Sequence, residues 1–173
     1  MGSIPTLRRL TMLLEGSCHC GAVRFSVESH APYPYMYCYC SICRKTQGGG
    51  GFAINLHADA DSLQVHGREH VGVYRAFMDH PVRSERSPGE RHFCRECASA
   101  LWVWDPRWPE LLHPFASCID TPLPAPPERC HIMLDSKPAW VPVPTEDSAN
   151  RHFPEYPDEA LVDWHRRHGL ITD

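Results

Sequence analysis

Seven of the nine cysteines fall into three short clusters, Cys18/Cys20, Cys38/Cys40/Cys43 and Cys94/Cys97. C-x-C and C-x-x-C spacings bring two sulfurs to one tight turn, within reach of a single ion. Cys18-His19-Cys20 and Cys94-Arg95-Glu96-Cys97 together offer four thiolates, a closed tetrahedral set of the structural type. Zinc, which has no redox role, suits such a soft donor set. Closing the long loop between the two pairs would turn metal affinity into folding free energy. His19 and His92 lie close in sequence, but ring nitrogens are surplus beside four cysteines.

The remaining run, Cys38-Tyr39-Cys40-Ser41-Ile42-Cys43, is one ligand short of a tetrahedron. Cys118, Cys130 or His57 could fold back and close it, which would make it structural. If the fourth position is open, charge decides what binds there. A divalent ion with three thiolates carries about −1 overall, so it is a poor Lewis acid for a carbonyl. It can still hold an incoming thiol as thiolate, a nucleophile presented in a fixed position. That chemistry points to a thiol substrate and a small electrophile rather than to water activation. Arg44 and Lys45 follow the last ligand and could hold carboxylates of an acidic thiol, or form an ordinary solvated pair. Tyr33, Tyr35, Tyr37 and Tyr39 alternate through this region, a pattern of half-buried strand packing or of a substrate wall.

The elements that must position these groups are mostly strands. Leu14–Cys20 and Ala22–Ser29 read as a pair, with Val23, Phe25 and Val27 alternating against polar neighbours and Gly21 near the turn. Alternation continues through Phe52, Ile54 and Leu56 after the glycine run 48–51. Further strands are expected at 63–66, 71–77, 84–87, 101–104, 111–118 and 130–134, with 92–97 as a turn and 138–144 extended. One helix is predicted, near the end. Asp158 and Glu159 start it, Leu161, Trp164 and His168 mark its face, Arg166 and Arg167 close it, and Gly169 stops it. The pattern implies a mainly antiparallel β fold with a short C-terminal helix. It divides into an N-terminal extension (1–13), a zinc-binding domain (14–157) and a helical tail (158–173).

A chain of 173 residues, 42% hydrophobic and 22% charged, suits one domain with a real core. A net charge of −4 without a basic stripe argues against nucleic-acid binding. Seventeen prolines favour loops and edge strands over long helices. No apolar run approaches the roughly 20 residues of a membrane span. Arg8-Arg9 before Leu10–Leu14 is too short for a secretory leader, and the Met1–Thr6 match to a myristoylation pattern is loose. Tight cysteine clusters without a leader favour metal in a reducing, cytoplasmic compartment over disulfides.

Three segments together resemble one known family. Gly16-Ser17-Cys18-His19-Cys20-Gly21-Ala22-Val23-Arg24-Phe25 is followed by Cys38-Tyr39-Cys40-Ser41-Ile42-Cys43-Arg44-Lys45 and then Phe93-Cys94-Arg95-Glu96-Cys97. The resemblance is to the glutathione-dependent formaldehyde-activating enzymes, a family that includes the C-terminal domain of centromere protein V. Ser136-Lys137-Pro138-Ala139-Trp140 is similar to the family's late S-K-P-x-W segment, and Cys118-Ile119-Asp120 sits where an L-D is common. The resemblance implies a β-tent fold with two zincs per chain. Cys18, Cys20, Cys94 and Cys97 correspond to the structural zinc, and Cys38, Cys40 and Cys43 to the catalytic one. It also implies addition of glutathione sulfur to formaldehyde, giving S-(hydroxymethyl)glutathione, a carbon–sulfur lyase activity. Ala98 stands where the family has glycine, at a position that calls for positive φ, so mild strain is expected there. Residues 78–90 and the tail fall outside the pattern. The alternative to an enzyme is a non-catalytic zinc module that binds a protein partner. Nothing in the sequence specifies an oligomer.

Overall fold

The computed structural model describes residues 11–47, 49–78 and 81–171. The Arg8-Arg9 and Met1–Thr6 patterns lie outside them, as does Gly48 of the glycine run. Three small sheets lean on one another around a shared core.

The first sheet pairs β1 (Met12–Ser17) with β2 (Arg24–Ser29), and β2 with β6 (Gln64–His66), all antiparallel. Period-two alternation does what it promised. Leu14, Phe25 and Val27 are buried, while Arg24 and Glu28 face out. The turn between β1 and β2 closes with Gly21 N–H donating to the Cys18 carbonyl at 3.0 Å and Cys18 N–H to the Val23 carbonyl at 3.0 Å.

The second sheet runs in the order β5 (Ala58–Asp59), β10 (Leu111–Pro114), β9 (Ala100–Trp104), β8 (Glu90–Cys94) and β7 (Val71–Tyr74), again antiparallel. Gly67 turns the chain between β6 and β7 with φ +75, and a Cβ there would lie 1.9 Å from the Ala22 carbonyl oxygen. Phe25 of β2 meets Trp102 of β9 edge-on, with ring centroids 5.0 Å apart, and joins these two sheets. Leu101, Leu112 and Phe115 fill the space behind them.

The third sheet runs β12 (Asn150–His152), β11 (Arg129–Ile132), β3 (Tyr35–Cys38) and β4 (Ala53–Asn55). Here β11 is parallel to both neighbours, while β3 and β4 are antiparallel. A parallel pairing needs a long crossover, which the chain between β3 and β11 supplies. Tyr35 and Tyr39 of the tyrosine stripe are buried. Their hydroxyls reach the Pro124 carbonyl at 2.8 Å and His131 Nδ1 at 2.9 Å.

Two helices are present among the described residues, against the one expected. The unexpected one is α1 (Ser41–Gln47), which carries the end of the cysteine triplet. The spacing Cys40-x-x-Cys43 leads straight into it. Cys40 stands at the cap position, and its sulfur accepts the Cys43 N–H at 3.3 Å, as a Ser or Asp side chain would. The run 92–97, expected as a turn throughout, begins instead within β8, which ends at Cys94. Of the strand expected at 84–87, only the bridge between Phe77 and Arg86 forms.

The C-terminal helix α2 spans Leu161–Arg167. Asp158 and Glu159 precede it rather than occupy its first turn. Gly169 ends it at φ +66, with Leu170 N–H reaching the His165 carbonyl at 2.9 Å. Its buried face is Trp164 and His165. His168, expected on that face, is exposed and stacks on the Trp164 ring at 3.9 Å. Trp164 Nε1 donates to the buried Glu128 carboxylate at 3.0 Å, and His165 Nε2 donates to the Tyr33 carbonyl at 2.6 Å. The tail is therefore docked against the segments that lead into β3 and β11. No helix among the described residues is long and apolar enough to cross a membrane.

Candidate metal centres

The turn after β1 carries Cys18 and Cys20, Cys94 ends β8, and the turn that follows carries Cys97. All four sulfurs lie within 4.8 Å of one another. Cys18 Sγ is 3.5 Å from Cys20 Sγ, and Cys20 Sγ is 3.8 Å from Cys94 Sγ. Four zinc–sulfur bonds of about 2.3 Å at tetrahedral angles place sulfurs about 3.8 Å apart. The donor set therefore fits zinc. No pair is at bonding distance, and all nine cysteines are free thiols, so the disulfide alternative has no support.

Local hydrogen bonds hold the two turns in register. Val23 N–H donates to Cys18 Sγ at 3.2 Å, and Cys94 and Ser99 pair through Cys94 N–H and the Ser99 carbonyl at 2.9 Å. Ser99 Oγ accepts the His19 N–H at 3.0 Å and lies 3.1 Å from Cys97 Sγ. That hydroxyl is the main reason the Cys97 thiol is lowered to about 5. Ala98 has φ 61, the left-handed conformation anticipated at the position following Cys97. Neither His19 nor His92 joins the sulfur cluster. His19 is exposed, and His92 stacks on Trp102 at 5.0 Å.

Cys38 ends β3, Cys40 caps α1 and Cys43 sits on its inner side. Their sulfurs also lie within 4.8 Å of one another. Cys38 and Cys43 are buried, and Cys40 is half-buried. Three thiols so close share charge unequally. Hydrogen bonds from Cys38 and Cys43 lower the Cys40 thiol, and the same contact with Cys40 raises Cys38. Negative charge is thus favoured first on Cys40, and a cation would let the other two ionise.

The three suggested fourth ligands are elsewhere. Cys118 Sγ donates to the Leu101 and Phe115 carbonyls at 3.0 and 3.1 Å. Cys130 Sγ donates to Glu128 Oε1 at 3.4 Å. His57 belongs to a separate histidine group. Among the described residues, no fourth donor joins Cys38, Cys40 and Cys43.

Arg44 and Lys45 lie in the last turn of α1. Arg44 is half-buried, and its Nε has no hydrogen-bond partner. Lys45 is exposed. The residue that touches the triplet is Arg91 of β8, whose Nη2 donates to Cys43 Sγ at 3.5 Å. Arg91 also lines a cavity of about 270 Å³ with Thr46, Gln47, Tyr74 and Phe93. Its Nη1, like Gln47 Nε2, is buried without a hydrogen-bond partner. No local spacing singles out Arg91. The fold alone brings it to the triplet.

Comparison with known proteins gives this arrangement a family. Residues 13–136 match the model of the family described as glutathione-dependent formaldehyde-activating enzyme. A Halomonas elongata protein that bears the same enzyme name provisionally is 64% identical over 159 residues, covering 92% of this chain and 98% of its own. A Rhodobacter sphaeroides protein of solved structure is 26% identical, with a TM-score of 0.48 over 64% of this chain and 91% of its own. The matched segment contains all seven clustered cysteines and, β12 apart, nearly all of the three-sheet, mainly antiparallel β architecture expected of a β-tent. On the family match, the high identity to the Halomonas protein and the cysteine pattern, the chain belongs to the glutathione-dependent formaldehyde-activating enzyme family.

Proposed function

We propose that this protein is a zinc-dependent carbon–sulfur lyase that joins glutathione and formaldehyde as S-(hydroxymethyl)glutathione. The observation that carries the reading is the set of three converging thiols with no fourth donor among the described residues. Two zincs per chain are proposed, one held by Cys18, Cys20, Cys94 and Cys97, the other by Cys38, Cys40 and Cys43. A zinc ion on the three-cysteine set would supply the charge that keeps an incoming thiol ionised at neutral pH.

The chain's own residues do the rest. The unpartnered guanidinium edge of Arg91 and the Gln47 amide bind a glutathione carboxylate in the cavity, and Arg44 and Lys45 are candidates for the other. Fixing both ends of the tripeptide aims its sulfur at the carbonyl carbon of formaldehyde. The sulfur–carbon bond forms as the C=O π pair moves to oxygen, and that oxygen takes up the proton the thiol gave up. Residues 14–157 would form the catalytic domain, with 158–173 as a C-terminal tail. A compartment that keeps thiols reduced, the cytoplasm, suits such a site.

The test is exchange NMR of glutathione and formaldehyde with zinc-loaded protein. Wild type should accelerate interconversion, and Cys40→Ser should abolish the acceleration while circular dichroism stays unchanged. No acceleration by wild type carrying two zincs would overturn the proposal.

A further inference from the structure

Three histidines that the proposed reaction does not use converge far from each other in sequence. His30 follows β2, His57 lies between β4 and β5, and His165 is on α2. One ring nitrogen of each lies within 4.8 Å of the others. The ring centroids are 5.1, 4.8 and 4.7 Å apart, and the rings are inclined at 83°, 79° and 60°. No two rings are parallel, as befits rings radiating from a common centre.

Hydrogen bonding fixes which atoms are offered. His165 Nε2 lies 2.6 Å from the Tyr33 carbonyl oxygen, which can only accept, so this nitrogen carries the proton. The Nδ1 lone pair of His165 then points inward, 3.2 Å from His30 Nε2. A carbonyl on the outer nitrogen is the usual support of a metal-ligating imidazole, because it sets tautomer and ring orientation. Two nitrogens on a tetrahedral ion with bonds of 2.0–2.1 Å lie about 3.4 Å apart, close to the spacing found here. His57 is 4% exposed, and its Nδ1 is buried with no hydrogen-bond partner. An orphaned polar atom in an interior calls for an unseen partner. His113, the next ring, is 6.4 Å from His57 by centroids and uses Nδ1 on the Leu56 carbonyl, so it flanks the group without entering it.

We propose that His30, His57 and His165 form a third metal site, made only of nitrogen, that clamps α2 onto the domain. Three imidazoles suit a borderline divalent cation such as zinc, cobalt, nickel or copper, and disfavour calcium and magnesium. No carboxylate is part of the group, so the ion keeps its positive charge. Water or a small anion completes its coordination from the side of His30, the half-exposed ring. The clamp fastens a helix that lies beyond the family-matched segment 13–136.

The experiment uses the full chain with its thiolate centres loaded with zinc, titrated with Co²⁺. Wild type should bind one further equivalent, with visible d–d bands and no sulfur-to-cobalt charge transfer. His30→Gln and His57→Gln should lose that equivalent. His30 is half-exposed, so His30→Gln decides the matter should His57→Gln fail to fold. At free Co²⁺ one hundred times the dissociation constant, the folded-to-unfolded ratio should rise about 100-fold in wild type and stay level in the variants. Absence of the extra equivalent in wild type, its retention in His30→Gln, or bands dominated by sulfur charge transfer would each overturn the proposal.

Discussion

Replacing Arg91 by methionine tests the proposed catalytic site through a residue that is no metal ligand. Arg91 Nη2 donates to Cys43 Sγ at 3.5 Å, and its Nη1 lies buried and unpartnered beside a cavity of about 270 Å³. A hydrogen bond to a charged acceptor contributes about 1.5–3 kcal/mol. At 1.36 kcal/mol per decade, its loss corresponds to about a 10- to 150-fold fall in rate. Methionine keeps the apolar stem and leaves every cysteine in place, so zinc content should match wild type. Arg91→Lys keeps the charge but loses the planar fork that spans Cys43 and the cavity, and should fall between the two. The assay is kcat/KM for glutathione from exchange NMR, with metal content measured on the same samples. A methionine variant within twofold of wild type at full zinc loading would refute the role given to Arg91.

Four other outcomes follow from the same contacts. Ala98→Gly removes a left-handed alanine strained by roughly 1–2 kcal/mol but adds unfolded-state freedom worth about 0.4–1 kcal/mol, so urea unfolding should show a net gain of up to about 1.6 kcal/mol. Trp164→Ala empties the buried face of α2 and the Glu128 contact, and should lower stability by about 3–5 kcal/mol in denaturant melts. Burial holds the His57 imidazole down at about 2, against 6.5 when unfolded, so between these values the unfolded chain binds a proton that the native state excludes. Stability should therefore fall as pH drops through 6.5, with His57 contributing about 2 kcal/mol of the fall at pH 5; His57→Gln should remove that share and leave the part due to His92, His113, His131 and His165, which burial also lowers. Chelating zinc should unfold the protein wholly or in large part, with Cys94→Ser reproducing the loss at full zinc, because the four-cysteine set joins turns far apart in the chain.

The convergence of the cysteines was legible in sequence because C-x-C and C-x-x-C spacing is a local property. The seven clustered cysteines meet as four and three, and the positive φ at Ala98 is found where glycine would have stood. Strand alternation around Phe25 and Val27 was readable for the same reason, since period two is a local property. What failed was long-range or masked by the motif. The helix α1 is short and capped by a metal-ligand candidate, Cys40, so the cysteine pattern hid the capping pattern. The parallel pairing of β11 depends on a crossover that no local signal announces. Arg91 reaches the triplet from β8, remote in sequence, and His30, His57 and His165 meet only because α2 docks. The exposed position of His168 and burial of His165 come from where α2 meets Tyr33 and Glu128, not from its own periodicity.

The central claim is that the three-cysteine set accepts a thiol as its fourth donor. X-ray absorption at the zinc edge, on two-zinc protein before and after glutathione, tests it most directly. The count of zinc–sulfur bonds per chain should rise from seven to eight, on the grouping of four and three cysteines. A count of eight without glutathione, or of seven with saturating glutathione, would contradict the account.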